Sequence, residues 1–338
     1  MRFEDLHIAG AALHVEDTCS VDQALRDGLC DERTAARSAI GSVAVSAGGS
    51  APELAVAAAR QVLERTGTPA TDIDLLLHAT VQYQGHDLWA PASYIQRYAV
   101  GNRCPAVEIK QLSNGGMAAL ELAAGYLSGA PGRRGALLTT GDVFGEPGFA
   151  RWRSDPGTVY GDAGTALVLT RGRTGLARLR SLVTVSDADL EQMHRGRDPF
   201  SRVPFALRQP IDLSLLQRTF VEDTGRSYSV ARITAGQDET LKRTLAEADC
   251  TLTDISWFVL PNFGHGRLNS TFLRRWSIPE ERTTWPWGRS VGHLGAGDQF
   301  AGLAFLAESG RVRPGELCLL FGIGAGFTWS CAVVEWEG

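Results

Sequence analysis

The stretch Ser113-Asn-Gly-Gly-Met-Ala-Ala-Leu-Glu-Leu-Ala-Ala-Gly-Tyr-Leu127, followed by Gly135-Ala-Leu-Leu-Thr-Thr-Gly-Asp142, decides the fold because a similar pair occurs again later. The counterpart is Gly295 to Leu306, followed by the strand-like Gly315 to Gly322. The first segment of each pair is apolar nearly all round, which is typical of a helix buried between two sheets. The repetition predicts a chain built from two similar halves.

The neighbouring units also occur twice. Two pairs share the order helix, short link, strand: Glu53–Leu63 with Asp72–Ala79, and Glu239–Leu245 with Asp254–Leu260. Each half then closes with a strand, Gly164–Thr170 or Phe327–Val334. Helical patterns between strands favour βαβ units and largely parallel sheets covered by helices. We therefore predict an α/β protein whose halves, residues 1–174 and 175–338, form one five-layered αβαβα unit.

The composition is that of an ordinary globular protein. Of 338 residues, 44% are hydrophobic and 21% are charged, and the formal net charge of −5 gives no general reason to expect nucleic-acid binding. No apolar run approaches the 18 residues of a membrane span, and the first residues do not resemble a signal peptide. We expect a cytoplasmic protein without a membrane partner.

The six cysteines are scattered without the spacing of a zinc site, so we expect reduced thiols, no metal and no cofactor. Cys318 and Cys331 lie in apolar, strand-like runs and are predicted to be small core residues. The chemistry must therefore come from other side chains.

The stretch from about residue 184 to residue 229 has no clear partner in the first half. Three proline-containing triplets interrupt regular elements within it: Asp198-Pro-Phe, Val203-Pro-Phe and Gln209-Pro-Ile. Two interpretations are open, an insertion over the substrate entrance and a plain surface excursion.

Ser113 is the first candidate for chemistry. It follows the strand-like Glu108-Ile-Lys and precedes the small-residue helix, so its hydroxyl is expected near the positive end of a helix dipole. That position suits a nucleophile whose acyl adduct carries transient negative charge. The alternative from this segment alone is that Ser113 only caps the helix.

A base for Ser113 is offered by Gly292-His293-Leu-Gly-Ala-Gly-Asp298, at the equivalent start of the second buried helix. An imidazole exchanges protons near neutral pH, and Asp298 could accept from its other ring nitrogen and fix the tautomer. A pseudo-twofold axis would bring the two helix starts face to face. The repeat therefore predicts that Ser113 and His293 meet at the seam between the halves.

A glycine-rich turn, Phe321-Gly-Ile-Gly-Ala-Gly-Phe327, lies between two predicted strands. It lacks the Lys-Ser/Thr of a phosphate-binding loop, and no helix follows it. Most such segments are tight turns. We predict that the backbone N–H of Ala325 points at an acyl oxygen.

These motifs together resemble the β-ketoacyl-acyl-carrier-protein synthase III group of the thiolase superfamily, over nearly the whole chain. The matching segments are the elbow at Ser113, Gly161-Asp-Ala-Gly-Thr-Ala166, Pro261 to Arg267, Gly292 to Asp298, and Gly322 to Trp329. The resemblance implies the thiolase-type five-layered αβαβα fold and a homodimer formed through the first half.

Three departures from that family change the expected chemistry. Ser113 stands where condensing members have Cys, Asn262 where they have His, and His293 where they have Asn. The His/Asn pair that supports decarboxylation of a malonyl unit is thus exchanged. The pattern resembles the synthase-III-like acyltransferases of natural-product pathways, which use Cys or Ser with His and Asp. His265 stands where the family motif has Asn and is a competing candidate base.

The resemblance also implies partners. Basic residues after the proline motif receive an acidic acyl carrier protein in this family, and Arg267, Arg274 and Arg275 occupy those positions. The spacing allows one helical face to carry all three, although a solvated face is the alternative.

The predicted function is transfer of an acyl, possibly aromatic, group from a carrier-protein or coenzyme A thioester, the phosphopantetheine thiol being part of the substrate. The acyl group passes through Ser113, with His293 and Asp298 as base and orienting acid, to a hydroxyl or amine of a small-molecule acceptor. Direct transfer without an acyl-enzyme is left open. The rival hypotheses are a chain-initiating ketosynthase and a catalytically silent partner subunit.

Overall fold

The computed structural model describes all residues, 1–338. The strands are β1 Leu6–His14, β2 Asp17–Ser20, β3 Ser42–Val45, β4 Leu75–Ala79, β5 Ala106–Ile109, β6 Gly135–Asp142, β7 Ala163–Arg171, β8 Ala177–Ser186, β9 Ile255–Val259, β10 Leu317–Gly324 and β11 Thr328–Trp336. The α-helices are α1 Val21–Arg26, α2 Glu32–Ser38, α3 Ala51–Thr66, α4 Pro91–Ile95, α5 Gly115–Ser128, α6 Leu213–Thr224, α7 Arg226–Ala248, α8 His265–Leu268, α9 Arg274–Trp276, α10 Trp285–Gly288 and α11 Asp298–Ser309. No helix is both long and apolar enough to cross a bilayer.

The repeat is visible in the order of the strands. One sheet runs β5-β4-β6-β7-β1-β8-β11-β10-β9, and only β2 and β3 lie outside it. The first-half strands β4, β6, β7 and β1 are mirrored by β9, β10, β11 and β8. The halves join through a short antiparallel pairing of β1 with β8, at His7–Arg178 and Ile8–Ala177. The boundary that we propose after residue 174 falls in the connection between β7 and β8.

The prediction of largely parallel sheets is wrong. Of the eight strand pairings in the large sheet, only β4–β5, β4–β6 and β9–β10 are parallel. The reason is local, because β10 and β11 are joined by a turn at residues 325–327 that is too short for a crossover helix. In the same way β6 and β7 are connected without an intervening helix and pair antiparallel.

The layers follow from which faces the helices cover. Helix α3 packs on β1, β6 and β7, helix α7 packs on β8 and β11, and α5 and α11 contact strands of both halves. The largest core cluster accordingly combines first-half residues such as Leu120 with second-half residues such as Phe300, both fully buried. Burial of each such side chain contributes about 2–3 kcal/mol, which ties the halves together. The predicted thiolase-type αβαβα fold is confirmed.

The starts of α5 and α11 touch. A Cβ added at Gly116 would lie 2.5 Å from the carbonyl oxygen of Ala296, so only glycine allows this approach. Phe300 lies next to the same position. The contact brings the residues that precede each helix to one place.

The stretch without a repeat partner forms a partial cover. After β8 the chain makes a 3-10 segment, Ala188–His194, then an irregular loop, and then α6. Backbone hydrogen bonds in both directions join Asp187 to Phe327, at 2.8 and 2.9 Å. Leu190 and Met193 are buried beneath the segment. This excursion is therefore attached to the β10–β11 turn.

Candidate active site

The elbow that carries Ser113 is bent by its own backbone. Strand β5 ends at Ile109, Leu112 adopts a left-handed conformation with φ of 48°, and α5 begins at Gly115. A non-glycine residue in that region costs of order 1–3 kcal/mol and is held there by its surroundings. The alternative that Ser113 only caps the helix is wrong, because the N-cap position is Asn114 and the Ser113 hydroxyl bonds elsewhere.

The structure brings Ser113, His293 and Asp298 into one hydrogen-bonded chain. Ser113 Oγ lies 2.8 Å from His293 Nε2, and His293 Nδ1 lies 2.6 Å from Asp298 Oδ2. A carboxylate only accepts, so Nδ1 carries a hydrogen and Nε2 is left to accept from the serine hydroxyl. His293 and Asp298 are each 1% exposed, which excludes water from this contact.

The Asp298 carboxylate is fixed by four donors. Besides the imidazole, Asp298 Oδ2 accepts from the Asn262 backbone N–H at 2.8 Å, and Oδ1 accepts from Leu294 N at 2.8 Å. Asn262 Nδ2 donates to Asp298 Oδ1 at 3.3 Å and to the Gly292 carbonyl at 3.0 Å. Asn262 therefore orients the carboxylate, and its side chain does not line either cavity beside Ser113.

His293 is also held from the first half of the chain. Its backbone N–H donates to the Val159 carbonyl at 2.8 Å, and its carbonyl accepts from Gly161 at 2.9 Å. The Tyr160 ring packs edge-on at 4.9 Å between centroids. Gly161 is required here, since a Cβ would lie 2.1 Å from the Val291 carbonyl oxygen. The imidazole thus has one position.

The β10–β11 turn lies against the elbow. A Cβ at Gly324 would be 2.5 Å from the Gln111 carbonyl oxygen, so the turn and the elbow are in close backbone contact. Ala325 lines the same cavities as Ser113. The backbone N–H groups of Ser113 and Ala325 have no acceptor within the chain. Such free donors beside a nucleophile are what an oxyanion needs.

Two cavities meet at Ser113. The apolar chamber, about 430 Å³, is lined by hydrophobic side chains that include Phe144, Phe149 and Phe205. The polar chamber, about 230 Å³, is lined by groups that include Gln217, Gln237 and Thr271. Both chambers share the four lining residues Ser113, Tyr160, His194 and Ala325.

The stretch without a repeat partner, residues 184–229, lines both chambers. His194, Pro204, Phe205, Ile211 and Leu213 all belong to it and all line the apolar chamber. Of the two interpretations of this stretch, the lining favours the insertion over the substrate entrance.

An outer groove continues the polar chamber to the surface. This arginine groove, about 710 Å³, is lined by Arg37, Arg218, Arg226 and Arg267 with Glu222 as the one carboxylate. It shares Gln217 and Arg267 with the polar chamber. A cationic surface groove therefore adjoins the chamber that reaches Ser113.

The predicted docking arginines do not form a free patch. Arg267 makes a two-pronged ion pair with buried Asp155, at 2.8 and 2.9 Å, and Arg275 pairs with Asp238 at 2.5 Å. Only Arg274 is exposed without an ion-pair partner. The helix is also interrupted, because residues 269–273 form a π-turn between α8 and α9. The positive charge gathers in the arginine groove instead.

The sequence reasoning missed Arg37, Arg218 and Arg226. Arg218 and Arg226 lie on the consecutive helices α6 and α7, whereas Arg37 belongs to the distant α2. Arg218 and Arg226 fall within the stretch without a repeat partner, but no motif relates them to Arg37.

His265 is not a competing base. Its Nε2 lies 2.9 Å from Glu280, and its ring packs on Trp285 at 5.0 Å between centroids. It lines neither chamber. The His265 side chain therefore packs against Glu280 and Trp285, away from Ser113.

The electrostatics beside Ser113 are set by burial and by one ion pair. Burial alone would raise the pKa of Asp155, but the Arg267 guanidinium and the Tyr160 hydroxyl hold it below its usual value. Burial lowers the pKa of His194. Burial raises the pKa of the Tyr160 phenol, which donates to Asp155 at 3.1 Å. Asp155 is therefore charged and fully partnered.

The cysteines and possible metal ligands lie apart from this chemistry. Cys318 and Cys331 are fully buried in β10 and β11, as predicted. No group of three or more His, Cys, Asp or Glu side chains is arranged to hold a metal ion.

Comparison with known proteins gives synthase III enzymes among the relatives of this chain. Residues 245–336 match the family described as 3-oxoacyl-[acyl-carrier-protein] synthase III, C terminal. The β-ketoacyl-[acyl-carrier-protein] synthase III of Thermosynechococcus vestitus is 29% identical over 291 residues, 84% of this chain and 83% of the relative. The protein of the same name from Nostoc sp. is 26% identical over 285 residues, covering 84% and 82%.

Solved structures resemble the chain over almost its full length. A structure described as the acyltransferase ChlB3 is 36% identical, with a TM-score of 0.94 over 99% of this chain and 98% of that one. The synthase III, FabH, of Xanthomonas oryzae is 20% identical, with a TM-score of 0.79 and coverage of 99% and 100%. OleA of Xanthomonas campestris is similar at 19% identity and 0.79 over 99% and 100%. The last two show the fold alone.

Proposed function

We propose, given that this chain belongs to the synthase III-like family of the thiolase superfamily, that it is an acyltransferase that carries the acyl group on Ser113. The observation that carries the proposal is the hydrogen-bonded array of Ser113, His293 and Asp298 at the junction of two chambers. This array activates a hydroxyl for attack on a thioester.

The first half-reaction loads the enzyme. His293 Nε2 takes the proton of Ser113 Oγ as the oxygen attacks the thioester carbonyl, and Asp298 stabilises the imidazolium. The oxyanion is held by the backbone N–H groups of Ser113 and Ala325. When the carbon–sulfur bond breaks, the thiolate takes the proton from His293 and leaves as a thiol. The acyl group remains on Ser113 as an oxygen ester.

The second half-reaction passes the acyl group on. An acceptor hydroxyl or amine gives its proton to His293 as it attacks the ester carbonyl, and the proton returns to Ser113 Oγ when that bond breaks. An oxygen ester is less activated than a thioester, so transfer back to a thiol is disfavoured. Transfer to oxygen or nitrogen makes the overall reaction downhill.

The arginine groove supports a donor that carries phosphate. Arg37, Arg218 and Arg226 line it without a carboxylate in hydrogen-bonding contact, whereas Arg267 is paired with Asp155. Coenzyme A and the phosphopantetheine arm of an acyl carrier protein both bring phosphate to such a groove. Gln217 and Thr271 could then bond the amides of the arm in the polar chamber.

The apolar chamber supports an aromatic acyl group. Phe144, Phe149 and Tyr160 pack against one another at 4.7 to 5.3 Å between centroids, and all three line it. Its volume, about 430 Å³, suits a small substituted ring. The likeness to ChlB3, a structure described as an acyltransferase, agrees with acyl transfer, and the resemblance of the Ser113, His293 and Asp298 pattern to natural-product acyltransferases leads us to propose a natural-product intermediate as the acceptor.

Two observations argue against the rival hypotheses. Chain-initiating condensation needs a second polar side chain over the malonyl unit, but Asn262 donates to Asp298 and Gly292 and lines neither chamber. A silent subunit has no need of the fully bonded carboxylate behind His293.

The test is intact mass after mixing the protein with benzoyl-CoA. A benzoyl increment is expected on the wild type and on Ser113→Cys, and none on Ser113→Ala. Turnover of an acceptor without an increment would overturn the acyl-enzyme route. Release of carbon dioxide from malonyl-CoA coupled to product would decide for condensation.

We also propose a homodimer through β5. This strand is a sheet edge, and the side chains of Val107 and Leu122 near it are 46% and 54% exposed, while Leu88 is fully exposed. An open edge with apolar neighbours invites pairing with a second copy. Light scattering should give a dimer, and Val107→Lys should give a monomer. A monomeric wild type would contradict the proposal.

A further inference from the structure

His194 has no role in the array just described, yet it borders the same space. It is the last residue of the 3-10 segment Ala188–His194 and lines both chambers together with Ser113, Tyr160 and Ala325. Its ring nitrogens make no hydrogen bond within the chain, its ring packs edge-on against Phe327 at 5.5 Å between centroids, and Asp155 and Arg267 are its charged neighbours. A partly buried imidazole whose two nitrogens lack partners in the protein is able to hydrogen-bond a ligand.

The position of His194 is fixed rather than incidental. The paired backbone bonds between Asp187 and Phe327 attach its segment to the turn that carries Ala325. Buried Leu190 and Met193 hold the same segment from below. The imidazole is therefore placed relative to the oxyanion donors and to Ser113 by the same short turn.

The charges around the junction select a neutral ligand. The apolar chamber contains Lys110 and no carboxylate, and the polar chamber contains Asp155, which Arg267 and Tyr160 already engage. An alkylammonium would enter without a counter-charge. A neutral hydroxyl, in contrast, has two lone pairs, so its oxygen can accept from the N–H of an uncharged imidazole and still attack the ester carbonyl.

We propose that His194 binds the acceptor hydroxyl and orients it toward the acyl group on Ser113, so that the acceptor is an alcohol rather than an amine. The acyl group lies in the apolar chamber, and the acceptor enters the polar chamber after the donor thiol leaves. The hydroxyl proton passes to His293 and from there to Ser113 Oγ, while the new carbon–oxygen bond forms. His194 donates its N–H to the acceptor oxygen and undergoes no net change.

This inference rests on the proposed function, and the two half-reactions separate them. Benzoyl-CoA loads the enzyme, and benzyl alcohol or benzylamine then serves as the acceptor probe at neutral pH. His194→Leu should load within about 3-fold of the wild type but transfer to benzyl alcohol about 10- to 100-fold more slowly. His194→Gln keeps an N–H donor and should recover most of that loss.

The control is Glu191→Gln, an exposed change on the same segment that should alter neither step. Equal loss of loading and transfer in His194→Leu would show a merely structural role and overturn the inference. Unchanged transfer, or faster transfer to benzylamine than to benzyl alcohol in the wild type, would also overturn it. Absence of a benzoyl increment on the wild type would instead overturn the proposed function.

Discussion

Replacing Asp298 by Asn removes a charge while keeping the size of the side chain, so it isolates what the carboxylate does for His293. The carboxylate accepts from four donors: His293 Nδ1, Leu294 N, Asn262 N and Asn262 Nδ2. An amide has one accepting oxygen, and its NH₂ group would face two of those donors. Whichever way the amide turns, two buried N–H groups lose their acceptor.

The expected magnitudes follow from this geometry. Two unsatisfied buried donors at about 1–3 kcal/mol each lower the free energy of unfolding by roughly 2–6 kcal/mol. If the NH₂ group faces His293, the imidazole adopts the tautomer with hydrogen on Nε2, which cannot accept the Ser113 proton. The loading rate should then fall by about 10³- to 10⁴-fold, as when the acid of a Ser-His-Asp triad becomes an amide.

The assay is pre-steady-state release of coenzyme A thiol from benzoyl-CoA, with circular dichroism as a check of folding. Asp238→Asn is the matched control, because it removes an exposed carboxylate that only pairs with Arg275. A folded Asp298→Asn protein that loads within 10-fold of the wild type would refute the assigned role of the carboxylate.

Three further predictions test the fold and the donor site. Gly116→Ala should lower the free energy of unfolding by about 1–3 kcal/mol in urea melts, since its Cβ would lie 2.5 Å from a carbonyl oxygen. Gly125→Ala, which has open space in the same helix, should not lower it. Equal effects of the two changes would contradict the close approach of α5 and α11. Arg218→Ala should raise the KM for benzoyl-CoA about 10-fold at low salt with little change in kcat. The control Arg243→Ala, which removes an exposed arginine outside the groove, should leave the KM unchanged. An unchanged KM in Arg218→Ala would argue against the groove as the donor site. Burial lowers the pKa of His78 to about 4, below its unfolded value near 6.5, so the unfolded chain binds a proton first as the pH falls. Between pH 6.5 and pH 4 the free energy of unfolding should therefore fall by up to about 3 kcal/mol more than in His78→Gln. Urea midpoints that change in parallel for the two proteins would contradict this.

The periodic parts of the fold could be predicted because each is encoded locally. The helix over residues 53–63 and the strand over 72–79 correspond to α3 and β4, and their second-half counterparts correspond to α7 and β9. The repeat of these elements also predicts that Ser113 lies opposite His293. Strand direction could not be predicted in the same way, because it depends on the connection, as the short β10–β11 turn shows.

The parts of the site that could not be predicted are formed by residues that only the tertiary structure brings together. The arginine groove combines Arg37 of α2 with Arg218 and Arg226 of the distant α6 and α7, while Arg267, whose motif suggested docking, pairs with Asp155. His194 lies in a stretch with no repeat partner, so no symmetry argument could point to it. The proposed role of His194 depends on the two backbone hydrogen bonds between Asp187 and Phe327, which no residue pattern predicts.

The division of the array between the halves has a consequence during synthesis on the ribosome. A nascent chain that has completed its first half exposes the serine but holds neither the imidazole nor the carboxylate. Such an intermediate cannot consume thioester, because an unassisted hydroxyl is a poor nucleophile. Under the proposed function, thioester chemistry therefore begins only when α11 docks beside α5, so that competence for turnover coincides with closure of the tertiary structure.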